Sequence, residues 1–265
     1  MKRDVPAHGQ IEFEDVGQGR AVVLLHAFPL SHTMWRRQIE ALASEYRVIA
    51  PSMRGFNSSA PWTTTPSIGR MADDVRALLD ELHILEPVTL CGLSMGGYIA
   101  LALTRMFPRR VGALVLADTR AEADDEAAKA KRNANIEFAQ NHSAHEFIDR
   151  LLPNMVSEKT RAAQPETIRQ IIDIASGQSR EGIIGALHAL RDRPDSSAGL
   201  QNIGVPTLVV VGSDDAITPP SVAQTLATNI PQAQLQTIEG AGHLSSMEQP
   251  EQFNQALLSF LGRLQ

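Results

Sequence analysis

Val88-Thr89-Leu90-Cys91-Gly92-Leu93-Ser94-Met95-Gly96-Gly97 decides how this chain reads. An apolar run rich in strand formers stops at a glycine, a serine follows two residues later, and a helix-like apolar pattern starts at once. Gly-x-Ser-x-Gly between a strand and a helix is the nucleophile elbow. The turn is too sharp for side chains at its flanks, so glycines stand at Gly92 and Gly96. The serine hydroxyl is then held clear of the backbone, above the end of a sheet strand.

Working outward, strands and helices alternate. Ile11-Glu12-Phe13-Glu14 alternates and then turns at Gly17-Gln18-Gly19, as an exposed early strand does. Ala21–Leu25 is a continuous apolar run, expected of a strand covered on both faces. Met34–Leu42 reads as a helix and Arg47–Ala50 as a strand. Ser67 is placed to cap a helix whose Ile68, Met71, Val75, Leu78, Leu79 and Leu82 recur at spacings of three and four. After the elbow, a helix runs to about Phe107 and a strand covers Val111–Ala117. Such alternation predicts an α/β fold, a mostly parallel sheet with helices on both faces. Ligands bind such sheets beyond the carboxyl ends of the strands, where Ser94 falls.

From Thr119 to about Ser197 the alternation lapses into helical patterns: a charged, Ala-rich stretch at Ala121–Ala139, then stripes at Phe147/Ile148/Leu151/Leu152, Ile168/Ile171/Ile172/Ala175 and Ile183/Ile184/Leu187/Leu190. Strands resume at Val205–Val211 and Ala233–Ile238, and Pro250–Leu264 reads as a terminal helix. We therefore expect a core of residues 1–118 and 198–265 with a helical cap, 119–197, inserted between two strands.

Composition narrows the function classes. The chain has 265 residues, 43% hydrophobic and 20% charged, which is ordinary for a globular protein. A net charge of −6 with a pI near 5.8 offers no footprint for nucleic acid. No apolar run approaches the length of a membrane span, and no basic amphipathic stretch marks a membrane surface. The N-terminus lacks the apolar core of a secretory signal, and one cysteine, Cys91, allows no intramolecular disulfide. Both point to the cytoplasm. Cys91, inside the elbow strand, reads as a small buried hydrophobe. No phosphate-loop, dinucleotide or metal-ligand spacing is present, so neither cofactor nor metal is expected; the oligomeric state is not legible.

A serine hydroxyl needs a base beside it and an acid to orient that base. Of eight histidines, His8, His32, His83, His142, His145 and His188 lie in stretches that read as surface or helix, and His26, upstream of the serine, reads as structural. His243 lies in Glu239-Gly240-Ala241-Gly242-His243-Leu244, a glycine-rich loop after the last strand, where it can reach Ser94. We take it as the base. The acid is expected downstream, on a loop after a strand. Gly212-Ser213-Asp214-Asp215 offers two carboxylates; Asp215 is preferred, with Asp214 and Asp118, at the end of the strand before the cap, as rivals. Attack also needs an oxyanion hole. One backbone donor is Met95, the residue after the nucleophile, and the other Phe28, on the His26-Ala27-Phe28-Pro29 loop. The substrate pocket is expected to draw on Phe28, Trp62, Leu187, Ile217 and Leu244, under an apolar roof of cap stripes. Arg120 lies near an anionic substrate at the cap hinge or, the preferred reading, pairs structurally.

Taken together, Leu25–Pro29, Arg54-Gly55-Phe56-Asn57-Ser58-Ser59, Gly92–Gly97, Gly212–Asp215 and Gly240–His243 make nearly the whole chain resemble the α/β-hydrolase fold family. It is most similar to small bacterial carboxylesterases, 3-oxoadipate enol-lactonases and the cofactor-free haloperoxidase and perhydrolase group. In that family the acid commonly lies three residues after the strand-ending glycine, which favours Asp215. Ala27 stands where relatives usually have glycine, Ser52 where an aspartate is frequent, and Asn57 where a glycine is. The implied activity is that of a serine hydrolase cleaving a small carboxylic ester or lactone through an acyl-enzyme. Alternatives are enol-lactonase activity, perhydrolysis or halogenation with the same residues, and a non-catalytic ligand receptor on the same scaffold.

Overall fold

Why the elbow strand is central follows from its neighbours: a strand this apolar is stable only where both faces are covered. A computed structural model describes residues 1–264. Its single sheet has eight strands in the order β1-β2-β4-β3-β5-β6-β7-β8, formed by β1 (Lys2–Val5), β2 (Gly9–Val16), β3 (Ala21–Leu25), β4 (Arg47–Pro51), β5 (Val88–Leu93), β6 (Val111–Ala117), β7 (Thr207–Gly212) and β8 (Gln234–Ile238). β1 and β2 pair antiparallel, β2 pairs antiparallel with β4, and every later pairing is parallel. The elbow strand β5 sits between β3 and β6, with Leu25 opposite Gly92 and Ala117 opposite Leu93. This is the α/β-hydrolase fold that the sequence predicts.

Side-chain alternation divides the core between the two faces. Val23, Leu25, Leu90, Leu114 and Val209 pack under α2 (Ile68–Glu81), α3 (Met95–Met106) and α9 (Pro220–Asn229). Val22, Leu24, Cys91, Val115 and Val210 pack under α1 (Arg36–Leu42) and α11 (Pro250–Gly262). Each such leucine or valine, fully buried, contributes about 1.5–3 kcal/mol. Cys91 is wholly buried, and burial pushes its thiol pKa well up. It is an inert core residue, as expected. Ser67 caps α2, its hydroxyl accepting from Arg70 N at 3.1 Å.

Between β6 and β7 the chain is helical: α4 (Glu126–Asn141), α5 (Ala144–Met155), α6 (Glu158–Ala163), α7 (Pro165–Ser176) and α8 (Arg180–Arg191), followed by a 3-10 turn over Ser197–Asn202. Ser143 and Glu146 form a reciprocal capping box at the start of α5.

Several sequence expectations change. β1 was not anticipated, because Lys2-Arg3-Asp4 shows no apolar alternation; backbone pairing with β2 makes the strand, and only Val5 is buried. The helix expected at Met34–Leu42 is split into a 3-10 turn, His32–Trp35, and α1. α4 starts only at Glu126, where Asp125 caps it by accepting from Ala128 N. α9 leaves little apolar periodicity in the sequence, because only Ala223 and Leu226 are buried along it. α10 (Ser245–Glu248), just after the His243 loop, was also unforeseen.

Two of the histidines read as surface or helix are buried instead. His8 Nδ1 lies 2.7 Å from Asp74 Oδ1, and Asp74 also takes two hydrogen bonds from Arg54. This pairing is what permits the burial of charge. His32 Nδ1 lies 2.7 Å from Ser52 Oγ, so Ser52 ties the 3-10 turn to the end of β4. Among the described residues, no helix is long and apolar enough to cross a membrane.

Candidate active site

Local geometry at the elbow follows from its glycines. Ser94 has φ +53° and ψ −110°, a strained backbone for a residue with a Cβ. A Cβ at position 92 would lie 2.2 Å from Gly96 O, and one at position 96 only 2.0 Å from Leu25 O. The serine is only half-buried although the residues flanking it are fully buried. Met95 opens α3, so its N–H is among those a helix's first turn leaves without an intrahelical partner.

Three side chains from three strand ends meet here. Ser94 Oγ, after β5, lies 2.8 Å from His243 Nε2, after β8. His243 Nδ1 lies 2.9 Å from Asp215 Oδ2, after β7. Asp215 is itself fixed: its Oδ1 accepts from Ile217 N at 2.8 Å and Thr218 N at 2.9 Å, and its Oδ2 accepts from Thr218 Oγ1 at 2.7 Å. Thr218 was not singled out in the sequence, since a Thr-Pro pair after a strand signals only a turn.

The rival carboxylates are engaged elsewhere. Asp214 is exposed and accepts from Ser213 Oγ. Asp118 is wholly buried with φ +46°; its Oδ1 accepts from Gly212 N at 2.9 Å and its Oδ2 bonds the Ser245 hydroxyl. Burial, then the nearby Asp215 charge, hold the Asp118 carboxyl well above the usual range.

For Asp215, burial acts upward, but the His243 charge and the hydrogen bonds from His243 and Thr218 outweigh it and keep the carboxylate pKa low. For His243, burial acts downward, yet Asp215, Asp118 and Glu248 together raise its pKa above the ordinary imidazole value. The paired environments push the two groups apart, the pattern expected where one holds a proton for the other.

His26 is structural. Its Nε2 accepts from Met53 N at 2.9 Å and its Nδ1 faces Ala27 O, while burial drives its pKa to about 4. Ala27 N is turned to Met34 Sδ. Asn57 adopts φ +50°, a turn that asparagine tolerates well.

The residues expected to bind substrate are only partly brought together. Phe28 and Leu187 join one apolar cluster with Ile136, Ala139, Phe147 and Ile183, and the Phe28 and Phe147 rings meet edge-to-face at 6.0 Å. In the sequence Phe147 is only one member of the Phe147/Ile148/Leu151/Leu152 stripe. Trp62 lies against Gly55 and Gly185, where any Cβ at 185 would strike its ring at 2.2 Å. Ile217 is 38% exposed. Leu244 is buried in the cluster under the opposite sheet face, with Cys91 and Phe253, and is not brought to Phe28. Arg120 donates to Ile217 O, a structural pairing. Among the described residues, no group of three or more His, Cys, Asp or Glu side chains is arranged to hold a metal.

A fold with a strained serine at the end of a central parallel strand, beside a histidine and an aspartate, defines the hydrolase class. Residues 22–256 match the model of the alpha/beta hydrolase family, and the chain belongs to that family. A thermophilic esterase from Thermogutta terrifontis is 38% identical, with a TM-score of 0.95 over 100% of this chain and 98% of that one. 3-Oxoadipate enol-lactonase 2 of Acinetobacter baylyi is 30% identical, covering 92% of this chain and 89% of the relative. A non-heme chloroperoxidase of Kitasatospora aureofaciens is 31% identical over 96% of both.

Proposed function

We propose that this protein is a serine hydrolase of small carboxylic esters or lactones, with Ser94 as nucleophile, His243 as general base and Asp215 as the acid that orients it. The observation that carries the reading is the unbroken hydrogen-bonded line from Ser94 Oγ through the imidazole to Asp215. Ser94 Oγ attacks the carbonyl carbon as His243 Nε2 takes its proton; the tetrahedral oxyanion is held by the N–H groups of Phe28 and Met95. Collapse expels the alcohol, which receives the proton from His243, and leaves an acyl-Ser94. Water, deprotonated by the same imidazole, then releases the acid. Asp215 stabilises the imidazolium throughout.

In this reading residues 119–197 form a cap over a core of 1–118 and 198–265. The Phe28, Phe147 and Leu187 cluster favours an apolar acyl or alcohol group. A cytoplasmic setting goes with the lone, buried cysteine.

A panel of p-nitrophenyl esters, simple lactones and an enol-lactone, with Ser94→Ala as blank, tests the reaction class. Acetate with hydrogen peroxide and a halogenation reporter tests peracid chemistry, to which the chloroperoxidase likeness points. Turnover restricted to the peroxide assay would replace the hydrolytic reading, and tight ligand binding with no turnover in any assay would leave a receptor.

Two further outcomes follow from the electrostatics. The base must be neutral to accept a proton, so kcat/KM should fall as pH drops through the His243 pKa. Because that pKa is raised, the midpoint of the acid limb should lie above the ordinary 6.5. A limb centred well below that value would contradict the assignment. Asp215→Asn should lower kcat by roughly 10⁴-fold, since the amide no longer orients or stabilises the imidazolium. Asp118→Asn should cost far less, and a larger loss at position 118 than at 215 would move the acid to Asp118.

A further inference from the structure

Glu248, the last residue of α10, is 2% exposed and, among the described residues, pairs with no cationic side chain. Its carboxylate is instead filled by backbone. Oε1 accepts from Gly242 N at 3.0 Å and from Leu244 N at 3.1 Å, the two amides that bracket His243. Oε2 accepts from Ser157 N at 2.8 Å, at the junction of α5 and α6. The same junction grips the loop a second time, because Ser157 Oγ donates to Gly240 O at 3.0 Å. Gln164, at the end of α6, donates through Nε2 to Glu248 O. The fit is tight: a Cβ on Gly242 would lie 2.5 Å from Ser157 N.

We propose that Glu248 is a positioning residue for His243, and that through Ser157 it makes the reach of the imidazole to Ser94 depend on how the α5–α6 segment is seated. The proposal rests on His243 being the base. Gly240 and Gly242 leave the loop free to move unless something external holds it. A single carboxylate oxygen, Oε1, accepting charge-assisted bonds from both amides, supplies that restraint on both sides of the histidine. One oxygen fixes the loop and the other fixes the helical segment above, so displacement of either is felt by the other. A misplacement of about 1 Å in a catalytic group costs about 10²-fold in rate; the loop is also tied by Asp214 N to Ala241 O at 2.8 Å and by Gly240 N to Ser213 Oγ at 2.9 Å, but the amides on either side of His243 both go to Glu248. The charged groups facing His243 are Asp215 on the β7 loop, Asp118 at the end of β6 and Glu248 on α10.

The test uses Glu248→Gln in the full chain. Its amide presents a donor where one set of N–H groups now finds an acceptor. The expected result is a kcat per active site lower by about 10–100-fold, a KM within about twofold of wild type, and an acid limb moved to lower pH because one anion has left the neighbourhood of His243. Titration of the His243 ring by NMR should show the same downward move independently of turnover. Active sites are counted with a fluorophosphonate probe, so a partly unfolded sample does not mimic the effect.

A second pair of variants keeps the carboxylate. Ser157→Ala loses only the hydroxyl, whereas Ser157→Pro also loses the N–H that Glu248 accepts. The backbone at 157, φ −63°, suits proline. Ser157→Pro should lose clearly more kcat than Ser157→Ala at equal KM. Wild-type kcat and an unmoved histidine titration in Glu248→Gln, or equal rates in the two Ser157 variants, would overturn the proposal. A fully active Ser94→Ala would instead overturn the catalytic reading on which it rests.

Discussion

Ser94→Ala is expected to lower kcat on p-nitrophenyl acetate by roughly 10⁵–10⁶-fold, the scale on which serine nucleophiles act as one unit with their base. The substitution removes one oxygen at the head of the hydrogen-bonded line and nothing else: His243 keeps its bond to Asp215, and Asp215 keeps Thr218. The backbone at φ +53° is no harder for alanine than for serine, since both carry a Cβ. Folding should therefore be nearly unchanged, and KM, set by groups that remain, should move little. The residual rate would come from the oxyanion donors and binding alone. Stopped assays at high enzyme concentration, alongside a melting curve, make the measurement. Turnover within tenfold of wild type would show that another nucleophile carries the reaction and would end the proposed mechanism.

Gly96→Ala is the second large effect, and it acts on the fold as well as the site. The new methyl would stand 2.0 Å from Leu25 O and 2.6 Å from Leu25 C. These are backbone atoms of β3, a central strand paired on both sides, so they cannot swing away as a side chain would. Either α3 lifts from the sheet or β3 bends. Overpacking of this kind costs about 3 kcal/mol or more, which corresponds to a fall in Tm of roughly 6–12 °C in a chain of this size. Because α3 carries Met95 N–H at its start, activity should fall further than stability alone explains. Gly199→Ala is the control, as a Cβ there meets nothing within 4 Å, and its Tm should stay within about 2 °C. If the two variants melt together, the close packing of the elbow is not what limits position 96.

Much of this was legible in the chain because the signals are local. Five consecutive apolar positions in β3, and four in β7 (Leu208–Val211), read as buried strands without knowledge of any partner. The elbow reads from its two glycines, because no other residue fits where a helix start touches the next strand. Less was legible wherever the deciding partner is distant in sequence. β1 exists through backbone pairing and not through its side chains. His8 and His32 are buried because Asp74 and Ser52 come to meet them across the fold. Leu244, near His243 in sequence, is buried with Cys91 and Phe253, in a different cluster from the one that Phe28 and Leu187 share.

By itself, then, the amino-acid order determined the parallel sheet and the elbow and pointed to the glycine-rich loop that carries His243, all of them consequences of periodicity and of glycine's missing side chain. Only the tertiary structure showed which of three carboxylates of like chemistry lies beside His243. Asp118, Asp214 and Asp215 all follow apolar strands, and what separates them is which amides and hydroxyls face each one: Gly212 N and Ser245 Oγ hold Asp118 aside, Asp214 turns to solvent, and the amides of Ile217 and Thr218 aim Asp215 at the imidazole. Hydrogen-bond donors that converge from separate strands leave no local trace in sequence, and that is why the sequence could prefer Asp215 yet leave Asp214 and Asp118 as rivals.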